Sequence, residues 1–488
     1  MRIFPGQRRA SLSVRELAEF GLGPRSGSRG PSGVWRAELG REWHAALRAK
    51  SEIEQKGKAE VSHEVTVRGV LLRGDWSIEL EGRVDKLSEM NGRALATELK
   101  TVFFPLPATE ECLREKYPQY FSQVSAYLLL LRLLPKYAEK SVTGELLFAD
   151  VSAGGFIQTV PTDARDEIAL DDRLVALLAF LEERRSSRHR LSELVFNSPF
   201  ETLREGQSEA NAALEESMAM APVTLFEAPT GFGKTGTALT FALERLRAGL
   251  CDRILYLTGK STGQNEVART LRKMIPTEGS FRYLSLRNRI ERNAGFEKFD
   301  NLTRDELARR WEIAALAPVA LFRNGTIPEE VLRQEANRTG IPPYEIFRAC
   351  LPFADLLVGD FNYVFHPGSA ALLKGVNDFV PARTLLMADE VHNLPERTAS
   401  GLSARFSTGD ARRATEALAF AHGPNILTRA LEDWVEFLEN RRKNEVLDAD
   451  NFYRATDLVE TVAEVIRKGP LPRENLSVSE LEMLWRFE

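Results

Sequence analysis

Two lysines stand among residues suited to phosphate chemistry. The first, Lys234, lies in TLFEAPTGFGKTGTAL, Thr224 to Leu239. A short apolar run, Thr224–Glu227, reads as a buried strand and leads through Ala228, Pro229 and Thr230 into Gly231, Phe232, Gly233, Lys234 and Thr235. A helix-like stretch follows over Ala238–Arg247. Strand, glycine loop, Gly-Lys-Thr and helix is the phosphate-loop order. Gly231 and Gly233 let the backbone curl so that N–H groups face phosphate oxygens, and the helix N-terminus adds positive dipole. Lys234 would reach the β and γ phosphates of ATP, and Thr235 would ligate Mg²⁺. The plainer alternative is a glycine-rich turn between strand and helix in an α/β core.

The second lysine is Lys100. EGRVDKL, from Glu81, reads as a strand ending on Asp85; SEMNG reads as a turn; RALATELKT reads as a second strand. Glu98 and Lys100 are two apart and share a strand face, so Asp85, Glu98 and Lys100 converge at one end of a hairpin. Paired carboxylates bind Mg²⁺ or Mn²⁺, and an adjacent lysine can steer a water at a phosphodiester. For Glu98 and Lys100 alone, a charged face on an exposed hairpin is the better explanation, and further elements are needed to favour a site. Two helix-like segments flank the hairpin. AELGREWHAAL (Ala37–Leu47) carries His44, and YFSQVSAYLLLL (Tyr120–Leu131) carries Gln123 and Tyr127 one turn apart.

A phosphate loop that drives work needs an acidic partner on a neighbouring strand. TLLMA, Thr384–Ala388, reads as a buried strand ending in Asp389, Glu390, Val391 and His392. Asp389 would hold Mg²⁺, and Glu390 would orient and deprotonate water. Further apolar strands, Arg253–Thr258 and Ala354–Gly359, end in small polar and basic residues suited to a nucleic-acid backbone. Gln207, ahead of the loop, could read an adenine edge.

The elements that must position these groups fit within 488 residues, enough for about three domains. The chain is 43% hydrophobic and 28% charged, an ordinary globular balance. Its longest apolar runs fall well short of the roughly 20 residues that cross a bilayer. Neither a secretory leader nor a membrane partner is expected, which makes the cytoplasm the expected location. The net charge of −5 does not advertise nucleic-acid binding, but a local groove can still be basic. The three cysteines, Cys112, Cys251 and Cys350, are too far apart in sequence to suggest a disulfide framework or metal spacing.

As a set, PFETLREGQ, FEAPTGFGKT, LYLTGKSTGQ, VGDFNYVF and ADEVHN resemble the DinG/XPD branch of superfamily 2 DNA helicases, over roughly 198–400. The resemblance implies adenine contact by Gln207, phosphate and Mg²⁺ binding by Lys234 and Thr235, and Mg²⁺ and water handling by Asp389 and Glu390. His392 would couple the nucleotide site to DNA. The N-terminal elements resemble the RecB-like branch of the PD-(D/E)XK nucleases, over roughly 35–135. That implies metal binding by His44, Asp85 and Glu98, catalysis by Lys100, and support of the site by Gln123 and Tyr127. In this order the halves resemble bacterial DinG-related helicases with a fused N-terminal nuclease.

The expected fold class is α/β: a PD-(D/E)XK nuclease-like domain over 1–190, then a RecA-like P-loop domain over 191–280 and 346–400. A helical insert is expected over 281–345 and the start of a helical arch over 401–488. Two departures from the resemblance stand out. Iron–sulfur clusters are held by Cys₄ sets, but only Cys251 and Cys350 fall between the phosphate loop and the acidic box, so no cluster is expected. The sequence also carries no pattern for the second RecA-like domain, which a longer chain or another protein would have to supply. The expected activity is an ATP-dependent DNA helicase–nuclease acting on single-stranded or single-strand-tailed DNA, with ATP and Mg²⁺ or Mn²⁺. The alternative is an ATP-binding DNA module without motor activity, with or without a working nuclease.

Overall fold

The computed structural model describes residues 1–24, 60–102, 104–150, 156–276, 279–299, 302–402, 407–421, 423, 425–442, 446–468 and 484. His44, a candidate metal ligand, lies outside the described residues. The N-terminal half is built on strands β1 (Arg2–Phe4), β2 (Arg9–Ser13), β3 (Glu60–Arg73), β4 (Trp76–Met90), β5 (Arg93–Val102), β6 (Ser141–Asp150) and β7 (Ile157–Pro161). They form one mixed sheet in the order β1-β2-β4-β5-β6-β7, with β3 on β4. Asn91 and Gly92 both take positive φ, 50° and 73°, the geometry that closes a two-residue hairpin between β4 and β5. Strand β6 then pairs parallel to β5, which requires a crossover.

The crossover contains the Pro118–Leu133 helix, and its seat explains the sequence around it. A Cβ at Gly82 would come within 2.6 Å of Tyr127, and one at Gly144 within 2.5 Å of Val124. The two strand glycines therefore let the helix lie directly on the sheet. The long Ala164–Ser192 helix packs on it from the other side, with Arg173 donating to the Ser122 hydroxyl at 3.1 Å. Covered from both sides, the helix is buried from Phe121 to Leu128 and again at Leu130 and Leu131. That is why its sequence lacks a polar stripe.

The second half holds a parallel sheet of β8 (Arg253–Leu257), β9 (Tyr283–Ser285), β10 (Leu356–Gly359) and β11 (Thr384–Ala388), ordered β11-β8-β10-β9. The sheet reaches into the segment expected to be wholly helical insert, since β9 pairs with β10. Two expectations fail here. Residues 222–229 form no strand, and Val223 and Leu225 are 74% and 85% exposed. Strand β11, expected to be buried, is a half-exposed edge with Leu386 at 44%. The described sheet ends at β11, and residues 222–229 do not extend it. The Lys234–Arg247 helix begins one turn earlier than expected, directly at the loop lysine.

Helices Thr408–Phe420, Asn425–Glu439 and Ala449–Lys468 close around their own core of Leu418, Leu427, Leu431, Trp434 and Ile466. Cys251 and Cys350 sit in different hydrophobic cores, and burial pushes both thiols up, that of Cys251 to about 11. No described helix is long and apolar enough to cross a membrane.

The halves are joined through a buried carboxylate. Asp355, fully buried, accepts from both terminal nitrogens of Arg190 at 2.9 Å, from Ser187 at 3.3 Å and from the Arg282 N–H at 2.7 Å. Nearby, Arg184 donates to Asp378 at 2.8 Å, and the Phe180 and Phe353 rings meet edge-on at 5.7 Å. Removing one partner of a buried pair leaves the other charged and unpaired. Asp355→Ala is therefore expected to lower stability by about 3–5 kcal/mol, read as a lower denaturation midpoint. An unchanged midpoint would contradict the assigned role of Asp355.

Candidate active sites

In the N-terminal half the hairpin brings Asp85 and Glu98 to one place. Asp85 Oδ2 accepts the Leu99 N–H at 2.9 Å, which fixes its carboxylate beside Glu98. Glu98, 4% exposed, accepts through Oε1 from Lys100 Nζ at 2.9 Å and Gln123 Nε2 at 2.7 Å. Gln123 Nε2 also lies 2.9 Å from the Tyr127 hydroxyl, which donates to the Arg83 carbonyl at 2.9 Å. Asp85, Glu98, Lys100, Gln123 and Tyr127 thus form one hydrogen-bonded cluster, carried by β4, β5 and the helix seated on Gly82.

The electrostatics follow from burial. Desolvation raises the pKa of Glu98 against the pull of Lys100, and the neighbouring Asp85 adds to the rise. Desolvation likewise raises Asp85, against the Leu99 N–H and Lys100. Burial works against the charge on Lys100, but Glu98 and Asp85 together hold its pKa above the usual lysine value. Lys100 thus stands as the cation of an ion pair with Glu98, 2.9 Å apart. Glu98 Oε2 is buried with no hydrogen-bond partner, an acceptor suited to a hard divalent cation. Among the described residues no group of three or more His, Cys, Asp or Glu gathers as a metal cage.

Sequence reasoning missed two neighbours of this cluster. Tyr120 lies under Lys100, with Nζ 5.0 Å from its ring centroid. Glu64 stands across from Asp85, between the paired positions His63–Lys86 and Val65–Val84, and takes a positive φ of 53°. Its charge raises the Asp85 pKa further. An interruption of strand pairing by backbone twist leaves no mark in sequence periodicity.

In the second half Gly231 and Gly233 take φ of 85° and 89° on either side of Phe232, and Lys234 opens the following helix. Such alternation turns successive N–H groups into an anion-binding concavity. Lys234 Nζ spans the loop to the Ala228 carbonyl at 2.8 Å. Gln207, 2% exposed, accepts the Arg204 N–H at 2.8 Å and donates to the Phe232 carbonyl, so its amide braces the loop. Phe200, missed from sequence, packs where a Cβ on Gly233 would fall, 2.6 Å away.

The acidic box meets the loop through Tyr256 of β8. Its hydroxyl lies in polar contact with both Thr235 and Asp389. Burial raises the Asp389 pKa, with the Glu390 N–H and Lys234 opposing and the Glu390 charge adding. Glu390 takes a positive φ of 55°, and its carboxylate lies 3.4 Å from His392 Nδ1. Thr235, Lys234 and Asp389 are thus brought together, with Glu390 and His392 at the exposed rim. Tyr256 looks like a plain strand residue in RILYL, so its place was not legible.

Comparison with known proteins places the DEAD_2 family model on residues 314–410, a span that includes β10, β11 and the acidic box. A solved structure described as an XPD helicase is similar at 14% identity and a TM-score of 0.34, covering 59% of this chain and 51% of that one. The chain thus spans about half the length of that relative. A truncated XPD is similar at 14% identity and a TM-score of 0.31, covering 58% of this chain and 81% of that chain.

The loop geometry makes a direct prediction. Alanine at position 233 would bear a left-handed backbone costing about 1–2 kcal/mol and would collide with Phe200. Gly233→Ala is expected to weaken binding of a fluorescent ATP analogue about tenfold or more. Parent-like affinity would show that the loop does not hold nucleotide in this form.

Proposed function

We propose that this chain is an ATP-dependent DNA helicase–nuclease of the DinG/XPD kind, whose N-terminal half cleaves phosphodiesters with a divalent metal. The observation that carries the reading is the Asp85–Glu98–Lys100–Gln123–Tyr127 cluster, standing in one chain with a phosphate loop that faces an acidic box. The DEAD_2 match supports the helicase half.

Asp85 and Glu98 would hold Mg²⁺ or Mn²⁺, and the unpartnered Glu98 Oε2 fits that role. The metal supplies Lewis acidity toward a phosphate oxygen. Lys100, hydrogen-bonded to Glu98, would steer and polarise a water for attack on the phosphodiester. Gln123 and Tyr127 fix the Glu98 rotamer. In the motor half, the N–H groups around Gly231 and Gly233 and the Lys234 ammonium would hold the phosphates of ATP. Thr235 and Asp389 would hold its Mg²⁺, and Glu390 would position and deprotonate water. The Gln207 amide would have to exchange a loop contact to reach adenine.

A second reading, an ATP-binding DNA module that does not turn over, is favoured by one observation. The lead-in to the phosphate loop lies off the sheet, with Val223 and Leu225 exposed. A second RecA-like domain from a longer chain or a partner would complete the motor under the first reading.

The deciding experiment is cleavage of end-labelled single-stranded DNA in Mg²⁺, Mn²⁺ or EDTA, with and without ATP. Metal-dependent cutting is expected, abolished in Glu98→Ala and kept in Lys234→Ala. DNA-stimulated ATP hydrolysis, lost in Lys234→Ala, separates the motor from the module. Bound but uncut DNA under every condition would sink the nuclease half.

A further inference from the structure

Two clefts meet beside the motor sheet, and the second reaches the N-terminal half. The first, about 970 Å³, lies at the C-terminal ends of β8, β9 and β10, where Lys260, Arg287 and Arg289 line it beside Tyr344. The second, about 650 Å³, passes the insert and reaches Gly21–Pro24 and Lys116 of the N-terminal half. Arg289, Glu345, Arg348 and Leu372 line both, so the two form one continuous groove.

The acids of the first cleft are engaged within the protein. Glu345 pairs with Arg348 at 3.0 Å, Asp360 accepts the Asn362 N–H at 2.7 Å, and Glu291 accepts from Asn288 Nδ2 at 2.7 Å. Arg304 and Asp305 add one charge of each sign to the second. Lys260, Arg287, Arg289 and Lys116 form no ion pair among the described residues, so the groove presents net positive charge.

The groove ends at Lys116, and packed side chains connect that residue to the carboxylate cluster. Lys116 Nζ sits 4.3 Å from the Phe104 ring centroid. The next residue, Tyr117, stacks on Tyr120 at 5.3 Å, and Tyr120 carries Lys100 Nζ on its ring. Lys100 in turn is bonded to Glu98.

We propose that this groove is a track for single-stranded DNA, running from the motor's strand ends past Arg289 to Lys116, whose packed neighbours Tyr117 and Tyr120 join it to the Glu98–Lys100 cluster. The inference rests on the helicase–nuclease reading and adds the route and the residues that mark it. Cations interleaved with aromatic faces suit a single strand, whose backbone needs charge and whose unpaired bases need π surfaces. Lys116 belongs to the N-terminal half and Arg289 to the motor side, so a strand touching both couples movement to cleavage.

The test is fluorescence anisotropy of labelled oligothymidylates of about 6 and about 24 nucleotides on the full chain in EDTA, across a salt series. Lys116→Ala is expected to leave the short oligomer's affinity unchanged and to weaken the long one about threefold or more, lowering its log–log salt slope by about 0.7. Arg289→Ala is expected to weaken both. Binding of an ATP analogue reports that each variant is folded. If Lys116→Ala keeps the parent's affinity and slope for the long oligomer while Arg289→Ala still weakens both, the route is wrong and binding at the motor face stands. If the parent binds neither oligomer, the underlying reading fails with it.

Discussion

The arrangement of the two halves depends on the solvation of one carboxylate. Asp355 has no access to water, so its charge is tolerable only while its donors stay in place. Those donors come from the far end of the Ala164–Ser192 helix and from the start of β9, and Asp355 itself precedes β10. Satisfying it clamps a helix of the N-terminal half to two strands of the second sheet, β9 and β10. The Arg184–Asp378 pair and the Phe180–Phe353 contact extend the joint. A joint built on buried charge is directional, which a purely apolar contact is not, and it fixes where the shared groove runs.

Both candidate sites use the same device. Each draws a carboxylate out of water, which raises its pKa, and sets beside it a lysine that opposes the rise, so that negative charge gathers where a cation can answer it. The cost falls on the supporting elements. In the N-terminal half these are the helix seated on Gly82 and Gly144 and the Gln123–Tyr127 bonds. In the second half they are Tyr256, Gln207 and Phe200, which pack against the loop and its neighbours. Glu64 and Glu390 both take positive φ, so backbone strain sits beside each cluster.

The sequence made legible whatever depended on local spacing. Glu98 and Lys100 share a face because strands alternate, and Gln123 meets Tyr127 because helices repeat every turn. TLLMA was read to its boundaries as β11. Burial was harder, because it depends on what lies alongside: Leu225 and Leu386 have the composition of a core and the exposure of an edge. Tyr256, Phe200 and Tyr120 were invisible for the same reason, as each owes its position to a partner distant in sequence. The resemblance ordered the motifs along the chain, but not the groove, which arises only where an insert helix passes the N-terminal half.

The central claim is that the buried Asp85–Glu98 pair is a divalent-cation site independent of nucleotide. Titration of Mn²⁺ into the chain without ATP, followed by electron paramagnetic resonance of the free ion, tests it most directly. A saturable site in the parent that disappears in Glu98→Gln and persists in Lys234→Ala is the predicted result. Equal Mn²⁺ uptake by parent and Glu98→Gln, or none by either, would contradict the account.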